Sequence, residues 1–393
     1  MTHELMTADC GAKIVAAANV VSNIFDPEVW SRVPFHFWSL AFFVFGCNIG
    51  SFLNVCIHRM PLGQSIASPP SHCPHCKYSI PWYLNIPLVT WLWLRGKCKN
   101  CGAPISGRYF LVELMTGLIF LGCWNKFGRE SAWLALVYCL FLAGLIVATF
   151  IDAEHFIIPD EITIGGIGVG FVISLLLWRL HGQDTLPGSA KESVLGIIVG
   201  AGLIYAIVRL GKLFFGRQRI EIPESAKVVF SETGIYLGDE QEIPYEELFY
   251  RKSDVVTLQA RTVELADRCY RDVRVRLSPQ KLQIGEDEFN PEEVPHMEAE
   301  SAEVVLPREA MGLGDVKFMG AIGAFLGWQA VVFSLMASSI IGSVVGLALY
   351  LLHLLRKREF SSRLPYGPYI ALGAAIWVFG GKYLFERWLG GLR

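Results

Sequence analysis

Residues 132–152 read Ala132-Trp-Leu-Ala-Leu-Val-Tyr-Cys-Leu-Phe-Leu-Ala-Gly-Leu-Ile-Val-Ala-Thr-Phe-Ile-Asp152: twenty residues without a formal charge, ended by a carboxylate. A bilayer core about 30 Å thick is crossed by roughly 20 helical residues, so this run is read as a transmembrane helix with an ionisable group at its edge. Similar runs lie on either side, at Phe35–Ile57, Tyr109–Trp124, Ile162–Leu180, Val194–Leu210, Val316–Trp328, Ala330–Leu352 and Tyr369–Phe385. A polytopic α-helical membrane protein with about eight transmembrane helices is expected, several of the spans being short. Composition agrees: 53% of the 393 residues are hydrophobic, only 18% are charged, and the mean hydropathy is +0.41. Such a chain has too few ionic groups to cover a soluble surface, and disorder or a secreted disulfide scaffold is excluded. A net charge of −2 gives no basic field for nucleic acid.

Loop charges orient the spans. Arg59, Lys77, Arg95, Lys97, Lys99 and Arg108 lie between the first two runs, with no acidic residue among them. Arg209, Lys212, Arg217 and Arg219 follow the fifth run, and Arg356, Lys357, Arg358 and Arg363 precede the last. With eight alternating spans all three clusters share one side, which the positive-inside rule makes cytoplasmic. The N-terminus then faces outward. The first run begins some thirty residues in, unlike a cleavable signal peptide. The segment before it, residues 1–34, has room for a short surface helix around Ala12–Phe25. Glycines at 165, 166, 168, 170, 196, 200 and 202 suit close helix packing in lipid.

Within residues 58–108, Cys73-Pro-His-Cys76 and Cys98-Lys-Asn-Cys101 stand 21 residues apart. Two such pairs can turn four thiolates onto one tetrahedral ion, which with no open position is structural, and zinc is the expected metal. A redox dithiol or disulfides are the competing readings, and a reducing cytoplasm disfavours stable bridges. His72 and His75 are read as bystanders. Cys10, Cys47, Cys56, Cys123, Cys139 and Cys269 are read as packing residues.

Two carboxylates lie against apolar runs. Asp152 closes the third in Phe150-Ile-Asp-Ala-Glu-His-Phe-Ile-Ile-Pro-Asp160, and Asp315 opens the sixth in Gly312-Leu-Gly-Asp-Val-Lys317. Both fall at cytoplasmic ends by the topology above. If they meet, one pKa rises and the pair shares a proton, the chemistry of an aspartic protease. Gly312 and Gly314 lack a Cβ and admit a peptide close to Asp315. Pro159 is read as the residue that breaks the helix before the fourth span. Glu154 and Asp160 compete with Asp152 as solvated charges or caps, and Lys317 either pairs with Asp315 or snorkels to the interface.

Taken together, these residues resemble the bacterial prepilin leader peptidases of type IV pilus and type II secretion systems, the Gly-x-Gly-Asp class of intramembrane aspartic proteases. The match runs through Gly50-Ser-Phe-Leu-Asn-Val-Cys-Ile-His-Arg-Met-Pro61, Cys73-Pro-His-Cys76, Asn85-Ile-Pro87, Leu94-Arg-Gly-Lys-Cys98, Ile105-Ser-Gly-Arg-Tyr109 and Leu111-Val-Glu-Leu114. It continues with Ile151-Asp152, Ile158-Pro-Asp160, Gly312-Leu-Gly-Asp315 and Leu364-Pro-Tyr-Gly-Pro368. The resemblance implies that Asp152 and Asp315 are the catalytic pair. It also implies that the substrates are prepilins or pseudopilins, cut after a glycine at the cytoplasmic face of the bacterial inner membrane. It further implies N-methylation of the new terminus by S-adenosylmethionine. No Rossmann-type fingerprint appears in the chain; Asn54, Arg59, Asn85, Arg95, Arg108 and Glu113 mark one place to look, or anchor the cysteine module to lipid headgroups.

One departure is large. Residues 217–310 replace what is a short connection in the family and hold 21 of the 36 acidic residues. Val/Ile/Tyr alternation predicts a small cytoplasmic β-rich insert between helices two to five (109–216) and the last three (311–393). Val228-Val-Phe-Ser231, Ile235-Tyr-Leu-Gly-Asp-Glu240 and Glu246-Glu-Leu248 line up with Val275-Arg-Leu-Ser278, Leu282-Gln-Ile-Gly-Glu-Asp287 and Glu292-Glu-Val294, as a duplicated hairpin would. Docking to pilus or secretion assembly proteins is one role for it. Two other classes of function stay open on the residues alone: a transporter with paired membrane aspartates, and a non-catalytic assembly scaffold.

Overall fold

The computed structural model describes residues 34–215, 217–222, 227–238, 242–249, 254–265, 267–307, 312–356 and 365–390. The expected surface helix at 12–25, Cys10, and the basic residues Lys357, Arg358 and Arg363 lie outside them.

The chain forms two compact units, one of residues 1–201 and 314–393, the other of Gly202–Leu313. The first is helical: α1 (Phe35–Arg59), a short α2 (Val89–Trp93), α3 (Gly107–Phe127), α4 (Ala132–His155), α5 (Asp160–Leu176) and α6 (Leu186–Phe215), the last running on into the second unit. Local chemistry sets several ends. Ser106 and Ser131 cap α3 and α4, their hydroxyls accepting the N–H of Arg108 and of Leu134 at 3.3 Å. Phe156, at φ +56°, ends α4 by turning left-handed while its N–H still closes on the Asp152 carbonyl. The break therefore precedes Pro159, which instead starts α5, with Asp160 and Glu161 in the first turn where the helix dipole favours negative charge.

Within Gly202–Leu313 the chain builds one antiparallel sheet. Its strands are β1 (Arg217–Glu221), β2 (Val228–Phe230), β3 (Gly234–Leu237), β4 (Ile243–Pro244), β5 (Val256–Glu264), β6 (Cys269–Ser278), β7 (Lys281–Ile284), β8 (Asp287–Phe289) and β9 (Met297–Pro307), with a one-turn α7 (Tyr245–Leu248) before β5. The order is β4-β3-β2-β9-β5-β6-β7-β8, and β1 pairs with β9. The order reads the same from either end if each of β2 to β5 is exchanged for its counterpart among β6 to β9. Each series hands its last strand to the other: β5 pairs with β6, β9 with β2, and β5 with β9 at the centre. Inward positions match as well, Val256, Leu258, Ala260 and Val263 on β5 recurring as Met297, Ala299, Ser301 and Val304 on β9. The sheet has its own core, in which Val228, Ile235, Val256, Val275 and Ile284 are fully buried. Cys269, read above as a packing residue, is exposed at the start of β6; Cys47, Cys56, Cys123 and Cys139 are buried.

After the sheet come α8 (Leu313–Leu326), α9 (Trp328–Arg356), α10 (Gly367–Ile376) and α11 (Lys382–Gly390). Among the described residues six helices are long and apolar enough to cross a membrane: Phe35–Leu62, Gly107–Phe127, Ala132–His155, Leu186–Gly211, Trp328–Leu355 and Gly367–Arg387. The chain is a multi-pass membrane protein. The two other expected spans fall short, α5 having 17 residues and α8 having 14, or about 26 and 21 Å at about 1.5 Å per residue. Leu177 leaves helical geometry and starts a separate 3-10 turn, and Gly327, at φ +80°, ends α8. Length alone thus gives six spans where eight were expected.

Contacts nevertheless run the short helices beside long ones. A Cβ on Gly170 of α5 would meet Ala324 and Phe325 of α8. Gly196 of α6 lies backbone to backbone against Gly323, Gly200 lies against Met319, and the Ser193 hydroxyl donates to the Ala324 carbonyl at 3.0 Å. A side chain at Gly196 or Gly323 would enter the neighbouring main chain, so glycine is obligatory there. The Tyr138 hydroxyl, early in α4, donates to the Leu180 carbonyl at 3.4 Å, and a Cβ on Gly327 would lie 3.6 Å from His181.

Candidate active site

Asp152 occupies the last turn of α4 and Asp315 the first turn of α8, and both are buried, at 6% and 9% exposure. The turn that joins α4 to α5 brings their surroundings together. Gly314 abuts Ile158, whose Cβ and main-chain N lie 3.5 and 3.7 Å from where a Cβ would stand. Lys317 Nζ lies 2.6 Å from Asp160 Oδ1. The end of α4 and the start of α8 therefore sit at one end of the helical unit. Gly312 is exposed just before α8.

The rival carboxylates are otherwise engaged. Glu154 pairs with Arg108 at the start of α3, and Asp160 pairs with Lys317, with side chains 42% and 59% exposed. Lys317 makes an ion pair with Asp160 across the turn. Asp152 instead accepts a main-chain hydrogen bond: the Gly367 N–H donates to its Oδ2 at 2.9 Å. Gly367 was quoted in a sequence motif without a role; the Pro-Tyr-Gly-Pro string at a helix start was the available signal. Two buried carboxylates thus lie at one end of the helical unit, and a carboxylate is a group that can take a proton from water.

Four cysteines form a second cluster. The Sγ atoms of Cys73, Cys76, Cys98 and Cys101 all lie within 4.8 Å of one another. Cys73 and Cys101 stand 3.8 Å apart, Cys76 and Cys98 4.0 Å. A tetrahedral ion with thiolate bonds of about 2.3 Å holds its sulfurs about 3.8 Å apart, so the set can hold a metal. Each Cys-x2-Cys is the same knuckle: the Lys77 N–H returns to the Cys73 carbonyl and the Gly102 N–H to the Cys98 carbonyl, both at 2.9 Å, and residues 77 and 102 have positive φ. The Asn100 side chain and the Tyr78 main chain hold the Cys76 thiol down to about 6, favouring the ligating thiolate. His72 faces the Pro70 carbonyl, and His72 and His75 stand outside the cluster.

The polar residues around this module tie it down. Arg59 donates to the carbonyls of Ser65 (3.0 Å) and Pro69 (2.7 Å). Asn54 donates to the Gly50 and Tyr109 carbonyls, and Glu113 accepts the N–H of Leu88 at 2.7 Å. Asn48, Ser51, Arg59 and Asn85 line a cleft of about 250 Å³. Arg95 lies in a turn at φ +52°.

Residues 44–127 match the model of the bacterial peptidase A24 N-terminal domain, and residues 139–218 and 301–347 that of the type IV leader peptidase family. The chain is 28% identical over 385 residues to a prepilin leader peptidase/N-methyltransferase of Aeromonas hydrophila, covering 92% of this chain and 96% of that protein. A protein of the same name from Myxococcus xanthus is 45% identical over 164 residues, 41% of this chain and 48% of that one. A type 4 prepilin-like proteins leader peptide-processing enzyme from Escherichia coli O78:H11 is 35% identical over 211 residues, 49% of this chain and 74% of that one. No solved structure matches the chain.

Proposed function

The chain belongs to the type IV leader peptidase family, and we propose that it is a prepilin leader peptidase in which Asp152 and Asp315 are the catalytic carboxylates. One removes a proton from water as the other, protonated, polarises the scissile carbonyl; the shared proton then passes to the departing amine. The observation that supports this assignment is the burial of these two carboxylates, one in the last turn of α4 and one in the first turn of α8, with Glu154 and Asp160 exposed and ion-paired. Gly312 and Gly314 leave room for the substrate backbone. Membership of an enzyme family sets aside the transporter and scaffold readings.

Eight passes remain our reading of the topology. It is supported by the contacts that run α5 and α8 alongside α4 and α6, from the turn at Ile158 to His181. With eight passes the cysteine module, the carboxylates and the 217–310 insert all belong to the cytoplasmic side of a bacterial inner membrane, where the leader of a prepilin or pseudopilin lies. Zinc is the metal that suits four thiolates at these spacings, and it would hold the module's shape without taking part in cleavage. Docking of pilus or secretion assembly proteins is our reading of the insert.

The relatives' names also include N-methyltransferase, and we extend that activity to this chain. Its methyl donor would be S-adenosylmethionine. The cleft beside Arg59 is below the roughly 300 Å³ at which ligand pockets begin, and the Arg59 guanidinium is already bound to two carbonyls. That cleft does not fit the donor.

Co-expression with a prepilin tests the assignment. Asp152→Asn and Asp315→Asn should each abolish leader removal, read by the mass of the pilin, while the protein accumulates in the membrane at its normal level. Processing at the wild-type rate in either variant removes that residue from the site.

A further inference from the structure

The first turn of a helix leaves N–H groups without intrahelical partners. In α10, Pro368 has no N–H, and the N–H groups of Tyr369 and Ile370 close on the Tyr366 carbonyl at 3.1 and 3.2 Å. The N–H of Gly367 reaches across to Asp152 Oδ2, a group 215 residues away in the chain. A Cβ on residue 367 would lie 2.7 Å from that oxygen and 3.1 Å from the carboxylate carbon, so only glycine lets the main chain come this near.

The turn that carries this N–H is itself held. On α9, the hydroxyls of Ser338 and Ser339 both donate to the Leu335 carbonyl, at 2.9 and 2.8 Å, which leaves their oxygens free to accept. The Tyr366 hydroxyl stands 3.0 Å from Ser338 Oγ and 3.2 Å from Ser339 Oγ, so it is the donor. The bare face of Gly342, one turn further along α9, accommodates the rings of Tyr366 and Tyr369. A continuous series of contacts runs from the α9 hydroxyls through Tyr366 and Gly367 to the carboxylate.

We propose that Gly367 and Tyr366 are positioning residues for Asp152: the Gly367 N–H anchors Oδ2 and so presents Oδ1 to the reacting water, and Tyr366, latched to Ser338 and Ser339, keeps that N–H in line. The proposal rests on the reading of Asp152 as a catalytic carboxylate. Misplacing a reacting group by a fraction of an ångström costs turnover far more than substrate binding.

The test measures kcat and KM for leader removal by the purified full-length protein, with the melting temperature of each variant alongside. Tyr366→Phe, which removes a single oxygen, should lower kcat about tenfold with KM within about twofold, as expected for loss of one orienting hydrogen bond. The Ser338→Ala/Ser339→Ala pair should reproduce that loss, and adding Tyr366→Phe to it should lose no more. Gly367→Ala should lower kcat at least about a hundredfold. Wild-type kcat in Tyr366→Phe or Gly367→Ala overturns the proposal, as does a rise in KM alone. A melting temperature that falls in Tyr366→Phe together with kcat overturns it too, by making the tie merely structural. If Asp152→Asn itself cleaves normally, the catalytic reading fails instead, and the two failures are thereby told apart.

Discussion

Asp152 and Glu154 lie two residues apart, yet one is buried and receives a main-chain hydrogen bond while the other pairs with an arginine at the surface. That sorting depends on partners distant in the chain, Gly367 and Arg108. The same holds for Lys317, which reaches the carboxylate of Asp160. Candidate residues were therefore legible as a shortlist from their places beside apolar runs, and the partner of each was not, because no local period encodes a contact across 157 or 215 positions. Two predictions belong at this scale. Lys317→Met removes an exposed ion pair worth at most about 1 kcal/mol; leader removal should stay within about twofold of wild type in a co-expression assay. Gly314→Ala adds a methyl at ordinary contact distance from Ile158. The variant should keep its melting temperature within about 2 °C, a change of well under 1 kcal/mol, while cleavage of a co-expressed prepilin falls; unchanged cleavage removes Gly314 from the substrate's path.

At the scale of elements, apolar runs located every long helix, and the insert was legible from strand alternation. The lengths of α5 and α8 were not. The break at Leu177 falls within an apolar stretch with no proline or glycine to mark it, and α8 stops at Gly327, whose left-handed φ the apolar count passes over. The contacts between α6 and α8 make a strong prediction. Gly323→Leu forces a side chain into the α6 backbone, an overpacking cost on the order of 3 kcal/mol or more; the variant should fail to accumulate as folded membrane protein, as seen by protease resistance. The cysteine knuckles were readable because their spacing is local. Purified protein should carry one zinc per chain by elemental analysis, and Cys98→Ser should lose it.

For the whole molecule, the type IV leader peptidase match stops at residue 218 and resumes at 301, which leaves out most of the sheet. The sheet's core is complete within its own unit. Replacing residues 217–307 by a short flexible linker should leave leader removal within about twofold of wild type, since the first unit contains both aspartates. If pilus assembly is also unchanged in such a strain, the docking role falls.

The pairing of β1 with β9 sets Arg217 opposite Pro307, so the polypeptide enters and leaves the sheet about 5 Å apart, the spacing of adjacent strands. The first and last strands thus close the sheet on itself, and the ninety residues between begin and finish at one point of it.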